Sequence, residues 1–172
     1  VYLESQAFAE LGFVTHAFCT RQGGVSRGAY ASLNAGLLVG DREADVRDNF
    51  GRVREAFAVE NGRLVLMGQV HGDTVAVLEG EGPLPEQVPE CDGLITARCG
   101  VALAIRTADC VPMLFVDPLR RVIGVAHAGW RGTALGIAAR ELACPPCVLD
   151  GLAVLRAARE RERQLEMDAT AS

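Results

Sequence analysis

Histidine is scarce in this chain: His16, His71 and His127 are the only three in 172 residues, which limits the metal sites it can build. No apolar run approaches the roughly 20 residues of a membrane span. No basic block interleaves with aromatics. The formal net charge is −5, from 17 basic and 22 acidic residues, so a nucleic-acid partner is disfavoured. The start, Val1-Tyr-Leu-Glu-Ser-Gln6, has no basic segment leading into a signal-like apolar stretch, and the expected compartment is the cytoplasm. Without such a signal, the six cysteines (Cys19, Cys91, Cys99, Cys110, Cys144 and Cys147) read as reduced thiols or metal ligands, not as a disulfide framework. What the chain has instead is core: 49% of it is hydrophobic, in a length that suits one domain.

The densest signal lies at residues 107–132. Two apolar runs, Val111–Val116 and Val122–Ala126, flank Asp117-Pro118-Leu119-Arg120, the pattern of a β-hairpin with a short turn. Both runs are apolar on both faces, so the sheet is expected to be covered on both sides. A turn centred on Pro118–Leu119 pairs residues whose numbers sum to 237 and sets Cys110 opposite His127. Opposed residues share a face, with Cβ atoms about 4.5–5.5 Å apart. A thiol and an imidazole so placed fit one zinc ion, at about 2.3 and 2.0–2.1 Å. They equally fit a thiolate–imidazolium nucleophile pair. Either residue alone is more often inert packing; the register is what points to a functional pair. After Gly129-Trp130-Arg131-Gly132, Thr133 is expected to cap a helix from Ala134 to about Leu142. Arg131, near that helix start, is placed to bind an anion with free backbone N–H groups, or else to pair with a structural carboxylate.

Upstream, Val14–Thr20 reads as a strand broken by Arg21-Gln-Gly-Gly-Val-Ser26, a turn whose arginine either is solvated or holds a phosphate or carboxylate. Glu43–Val59 reads as an amphipathic covering helix, with Asp41 as N-cap and Val46, Phe50, Val53 and Phe57 on its apolar face. Strands over Arg63–Met67 and Asp73–Leu78 bracket Gly68-Gln-Val-His71-Gly72. Residues 79–90 form a surface loop, and Val101–Ile105 is a buried strand leading to Arg106-Thr-Ala-Asp109-Cys110. Asp109 is expected to bond neighbouring backbone, not to act as acid or base.

Thr107-Ala-Asp-Cys110-Val-Pro, together with His127-Ala-Gly-Trp-Arg-Gly132, resembles the YfiH family of laccase-domain, multicopper polyphenol oxidase-like proteins, over about Thr15 to Ile137. Gln69-Val70-His71-Gly72 is similar to the family motif that carries a metal-binding histidine. Thr20-Arg21-Gln-Gly23-Gly24-Val-Ser26 and Ser32-Leu-Asn34-Ala-Gly36 look like its loops near the site, and Asp92 and Asp109 resemble its acidic positions. The resemblance implies an α/β fold: a layered mixed β-sheet with covering helices, YfiH-like and similar to that of the cytotoxic necrotizing factors. It implies a zinc-dependent purine nucleoside phosphorylase acting on adenosine, inosine and methylthioadenosine with phosphate, with adenosine deaminase activity besides. His71, Cys110 and His127 would be both metal ligands and catalytic residues, leaving the fourth zinc position open. Zinc so held lowers the pKa of bound water toward ~7, which suits deamination. Phosphorolysis further needs phosphate positioned, by Arg21 or Arg131, and Trp130 suits stacking on the base. Copper, and with it a copper polyphenol oxidase activity, ranks below zinc as an alternative, because three histidines are too few for a multicopper centre.

Two other readings stay open. One is a metal-free hydrolase or deamidase built on Cys110 and His127. The other is a metal-binding domain without turnover, motivated by the tail. The laccase-like domain is expected over residues 1–143; residues 144–172 depart from the family pattern, as in a truncated C-terminus. Cys144-Pro-Pro-Cys147 and a short apolar stretch precede a charged run from Arg156, expected as a helix or a disordered tail. The oligomeric state is left open.

Overall fold

The computed structural model describes residues 2–143 and 155–157. In chain order these form β1 (Tyr2–Leu3), α1 (Gln6–Ala9), β2 (Val14–Thr15), β3 (Phe18–Cys19), α2 (Glu43–Ala56), β4 (Leu64–Met67), β5 (Val75–Leu78), β6 (Gln87–Val88), β7 (Gly93–Thr96), β8 (Ala102–Ala104), β9 (Val111–Asp117), β10 (Val122–Ala128), α3 (Trp130–Leu135), α4 (Ile137–Ala143) and β11 (Leu155–Ala157). A four-stranded sheet runs β5-β7-β10-β9, with β5 parallel to β7 and the other pairs antiparallel. A five-stranded sheet runs β2-β11-β8-β4-β6, with β4 parallel to both β8 and β6. The architecture is thus the expected α/β one, with mixed sheets in layers.

The two sheets close on each other through one apolar face each. Val65, Met67 and Leu103 meet Leu94, Leu114, Val116, Ile123 and Val125. Burying each such side chain contributes roughly 1.5–3 kcal/mol relative to leaving it exposed. The opposite face of the four-stranded sheet, with Ile95, Phe115, Ala126 and Ala128, packs against Ile137 of α4. Cover on both sides is why β9 and β10 read as continuous apolar runs and do not alternate.

The hairpin register differs from the expectation. Asp117 pairs with Val122 and Pro112 with His127, so paired numbers sum to 239. The turn holds four residues, Pro118–Arg121, because the Asp117 carboxylate accepts the N–H groups of Leu119 and Arg120 at 2.9 Å and Arg121 takes φ +55°. Cys110 is therefore two positions off His127, and Gly129 takes the facing place. A shift of two leaves parity intact, so Cys110, Pro112 and His127 still share a face.

Other boundaries moved for identifiable reasons. Val14–Thr20 gives two strands in different sheets, β2 and β3, because His16 between them turns inward to accept the Ser5 N–H at 2.6 Å. Arg42, not Asp41, holds the N-cap position of α2; the Asp41 carboxylate instead takes the Arg42 N–H and the Asn34 side-chain amide. The loop expected over residues 79–90 contributes β6 to the sheet. The helix expected over 134–142 begins four residues earlier, at Trp130, and is split by Gly136 at φ +82°, where the chain leaves α3 and starts α4. Of the stretch past Ala143, only β11 lies within the described residues. It pairs with β2 and β8, whereas the charged run was expected to be a helix or disordered from Arg156. Cys144, Cys147 and the rest of that run lie outside them.

Candidate metal centre

Three separate elements supply the donors. His71 lies in the loop joining β4 to β5, Cys110 immediately precedes β9, and His127 sits in β10. Their ligand atoms all lie within 4.8 Å of one another. Tetrahedral zinc bonds of about 2.05 and 2.3 Å put nitrogen and sulfur about 3.6 Å apart, so a contraction of roughly an ångström closes this set on an ion. The imidazoles of His71 and His127 meet edge to face, with centroids 4.8 Å apart. His127 is buried, Cys110 half-buried and His71 exposed, so the group forms the floor of an open cleft of ≈ 1230 Å³.

Asp92 organises this floor, a role that sequence reasoning did not give it. Its carboxylate, fully buried just before β7, bonds His127 Nδ1 at 2.8 Å. It also accepts the backbone N–H groups of Val70, His71 and Gly72 at 2.8–3.1 Å. Burial pushes the carboxyl up, but the bond from His127 and the N–H groups of Gly72, Val70 and His71 together outweigh it and hold Asp92 below the usual carboxylate range. With Nδ1–H donating to a carboxylate, His127 presents the Nε2 lone pair to the cleft. The same carboxylate pins His71, a non-glycine residue at φ +59°, in the left-handed conformation that aims its ring at the other two donors.

Gly129 is the second missed contributor. A Cβ there would lie 2.9 Å from His71 Cδ2 and 3.2 Å from Cys110 Sγ, so only glycine leaves room for both. Thr107 Oγ1 donates to the Cys110 carbonyl and closes the loop that carries the thiol. Asp109, expected to do that, makes no side-chain hydrogen bond or ion pair among the described residues. His16 is occupied structurally by Ser5 and packs edge to face on Phe8.

The cleft walls combine apolar side chains of α2 and β4, among them Phe50, Val53, Leu64 and Leu66, with Arg21, Asn34 and Arg106. Arg21 is on this wall, exposed, with Nη2 donating to the Ala31 carbonyl at 3.0 Å. Trp130 and Arg131, expected against the substrate, are not brought to it. Trp130 is 83% exposed, Arg131 is exposed, and neither lines the cleft. The cause is the early start of α3, which turns Gly132 inward and leaves its first two side chains outside. Asn34 braces its own loop: Oδ1 accepts the Gly36 N–H at 2.9 Å. No periodicity gives Asp92 or Gly129 its role, and only the family-like motifs mark them, because what each touches lies far off in sequence.

The family model described as multi-copper polyphenol oxidoreductase laccase matches residues 15–145. The chain is 43% identical over 126 residues to the purine nucleoside phosphorylase ORF3 of Streptomyces griseus, covering 73% of this chain and 51% of that protein. It is 46% identical over 125 residues to the purine nucleoside phosphorylase YlmD of Geobacillus stearothermophilus, covering 69% and 46%. The crystal structure of YlmD from Geobacillus stearothermophilus superposes with a TM-score of 0.71 at 43% identity, over 80% of this chain and 53% of that one. Bacillus licheniformis YfiH superposes with a TM-score of 0.69 at 39% identity, over 73% and 49%. The chain spans about half the length of the curated relatives it matches.

Proposed function

The chain belongs to the multi-copper polyphenol oxidoreductase laccase family, and from that premise we propose that it is a zinc-dependent purine nucleoside phosphorylase whose site is His71, Cys110 and His127. The observation that carries this is the convergence of two imidazoles and a thiol within 4.8 Å at the floor of a cleft, in a chain whose relatives bear that enzyme name. Two nitrogens and one sulfur are a donor set that zinc accepts, with one position left over, as in catalytic sites. Held by His71, Cys110 and His127, zinc would supply Lewis-acid charge at the cleft floor.

Everything else falls to the side chains. Phosphorolysis of inosine, adenosine or methylthioadenosine breaks the C1′–N9 bond and forms a bond from C1′ to a phosphate oxygen. The apolar wall of Phe50, Val53 and Leu66 shields a flat base from water, and Arg21 at the rim offers charge to phosphate or the sugar. Asp92 keeps His127 in one tautomer and so fixes the direction of its free lone pair. Deamination of adenosine is the companion activity that the same floor suits, since it needs an activated water and no phosphate.

One observation favours a second reading. Cys110, His127 and Asp92 also form the series nucleophile, base and orienting carboxylate of a metal-free cysteine hydrolase. Metal analysis of the purified protein, with inosine turnover measured in phosphate buffer before and after chelation, separates the two. The phosphorylase reading expects phosphate-dependent hypoxanthine release, lost on zinc removal and restored by zinc. Full turnover by metal-free protein would sink it.

A further inference from the structure

Arg106 lines the cleft next to the proposed metal floor and is held at both its backbone and its guanidinium. The Gln69 side chain bridges its backbone: Nε2 donates to the Arg106 carbonyl at 2.8 Å, and Oε1 accepts the Arg106 N–H at 3.0 Å. This side-chain bridge continues the parallel pairing of β4 with β8 past the ends of both strands. The guanidinium crosses back to β4, where Nη2 donates to the Met67 carbonyl at 3.0 Å. Arg106 is thus tied to the segment that leads to His71, four residues before Cys110, and lines the same cleft as both.

The guanidinium is half-buried, and burial pulls its pKa down. Yet it has no carboxylate partner among the described residues. Arginines withdrawn from water are normally paired, because the desolvated charge is otherwise uncompensated. The planar fork carries five N–H donors, and the Met67 carbonyl takes one of them. A fixed fork with donors to spare, in a cleft that can admit a ligand, is matched to a tetrahedral oxyanion.

We propose that Arg106, clamped by Gln69, anchors the phosphate co-substrate through its guanidinium fork. This rests on the phosphorylase reading and refines it, since Arg21 sits exposed at the rim and Arg131 lies outside the cleft. The oxyanion meant is free inorganic phosphate; the phosphate ester of a nucleotide shares the same chemistry and is the alternative source. Arg106 holds phosphate while the purine and sugar contact other walls, so its loss acts on one substrate and not on both.

The test uses the zinc-loaded full chain as wild type, Arg106→Gln and Arg106→Lys. Inorganic phosphate binding is titrated calorimetrically against chloride at equal ionic strength, inosine monophosphate is titrated in parallel, and KM values are measured for phosphate and inosine. Removing a charged hydrogen-bonding fork is expected to weaken phosphate by about 10- to 100-fold. Arg106→Gln should raise the phosphate Kd and KM by that factor, with inosine KM within about twofold and zinc content unchanged. Arg106→Lys keeps charge and reach to Met67 but lacks the fork, so it should fall between the two. An unchanged phosphate Kd in either folded variant overturns the proposal, as does a loss confined to inosine monophosphate. If wild type binds phosphate through Arg106 yet splits no inosine, the phosphorylase reading fails while the phosphate anchor at Arg106 stands. If inosine is split with a phosphate KM indifferent to Arg106, the reverse holds.

Discussion

Single residues act here mainly by what they hold in place. Asp92 accepts four hydrogen bonds, so changing it to asparagine removes the charge that fixes His127 and disturbs the amides of residues 70–72. Asp92→Asn should weaken zinc about 10- to 100-fold, read by competition with a chromogenic chelator; wild-type affinity would show that the carboxylate does not support the site. Glu141 behaves oppositely. It lies on the far face of the four-stranded sheet, where Gly93 and Gly124 leave room for its carboxyl: a Cβ on Gly124 would come within 2.5 Å of Oε1. Its oxygens have no partner within hydrogen-bond geometry among the described residues, and burial pushes it up to about 9, against the opposing pull of the nearby Val125 N–H. The folded chain therefore keeps a proton that the unfolded chain releases above about 4.5. Between those values stability falls as pH rises, by up to about 1.4 kcal/mol per pH unit from this group. Glu141→Gln keeps the shape without the titration, so its stability relative to wild type should climb from about pH 5 to pH 8 in urea unfolding. Parallel curves for the two proteins would contradict this.

At the scale of elements, α2 does more than cover the sheet. Its buried Asn49 accepts the Val25 N–H and donates to Ser26 Oγ and to the carbonyls of Ser32 and Asn34. One side chain thus fastens the loop that carries Arg21 to a helix whose Phe50 and Val53 line the cleft. Asn49→Ala leaves several of those groups unpaired and should cost about 2–3 kcal/mol in denaturant unfolding. It should also raise KM for inosine more than it lowers zinc content. A variant as stable as wild type would mean that the loop finds other partners. The helical spacing of Val46, Phe50 and Val53 revealed α2, but Asn49 has no periodic signature; its partners are 15 to 24 residues away. The hairpin teaches the same lesson from the other side. Its strands were legible as apolar runs, while the pairing depended on a four-residue turn built by Asp117 that composition does not specify.

For the whole molecule, an ion in the candidate centre would act as a cross-link. An ion there would join the β4–β5 loop to β10 and to the residue just before β9, and a metal that binds only the folded chain would stabilise it by mass action. Chelation should therefore lower the Tm of wild type by several degrees and leave Cys110→Ala unmoved, as followed by calorimetry. Equal Tm values for loaded and stripped wild type would argue against a shared ion. Amino-acid order alone determined the apolar hairpin, while the layered α/β class came with the family resemblance of its motifs. The order also placed Cys110 and His127 on one face, because side chains alternate with a period of two and survive a two-residue slip in register. Tertiary structure alone decided that Asp92 orients His127 across 35 residues, that Gln69 clamps Arg106 across 37, and that Trp130 faces outward. Those outcomes depend on which strand ends meet and where a helix begins, and both are set by packing between elements distant in the chain, which no local pattern encodes.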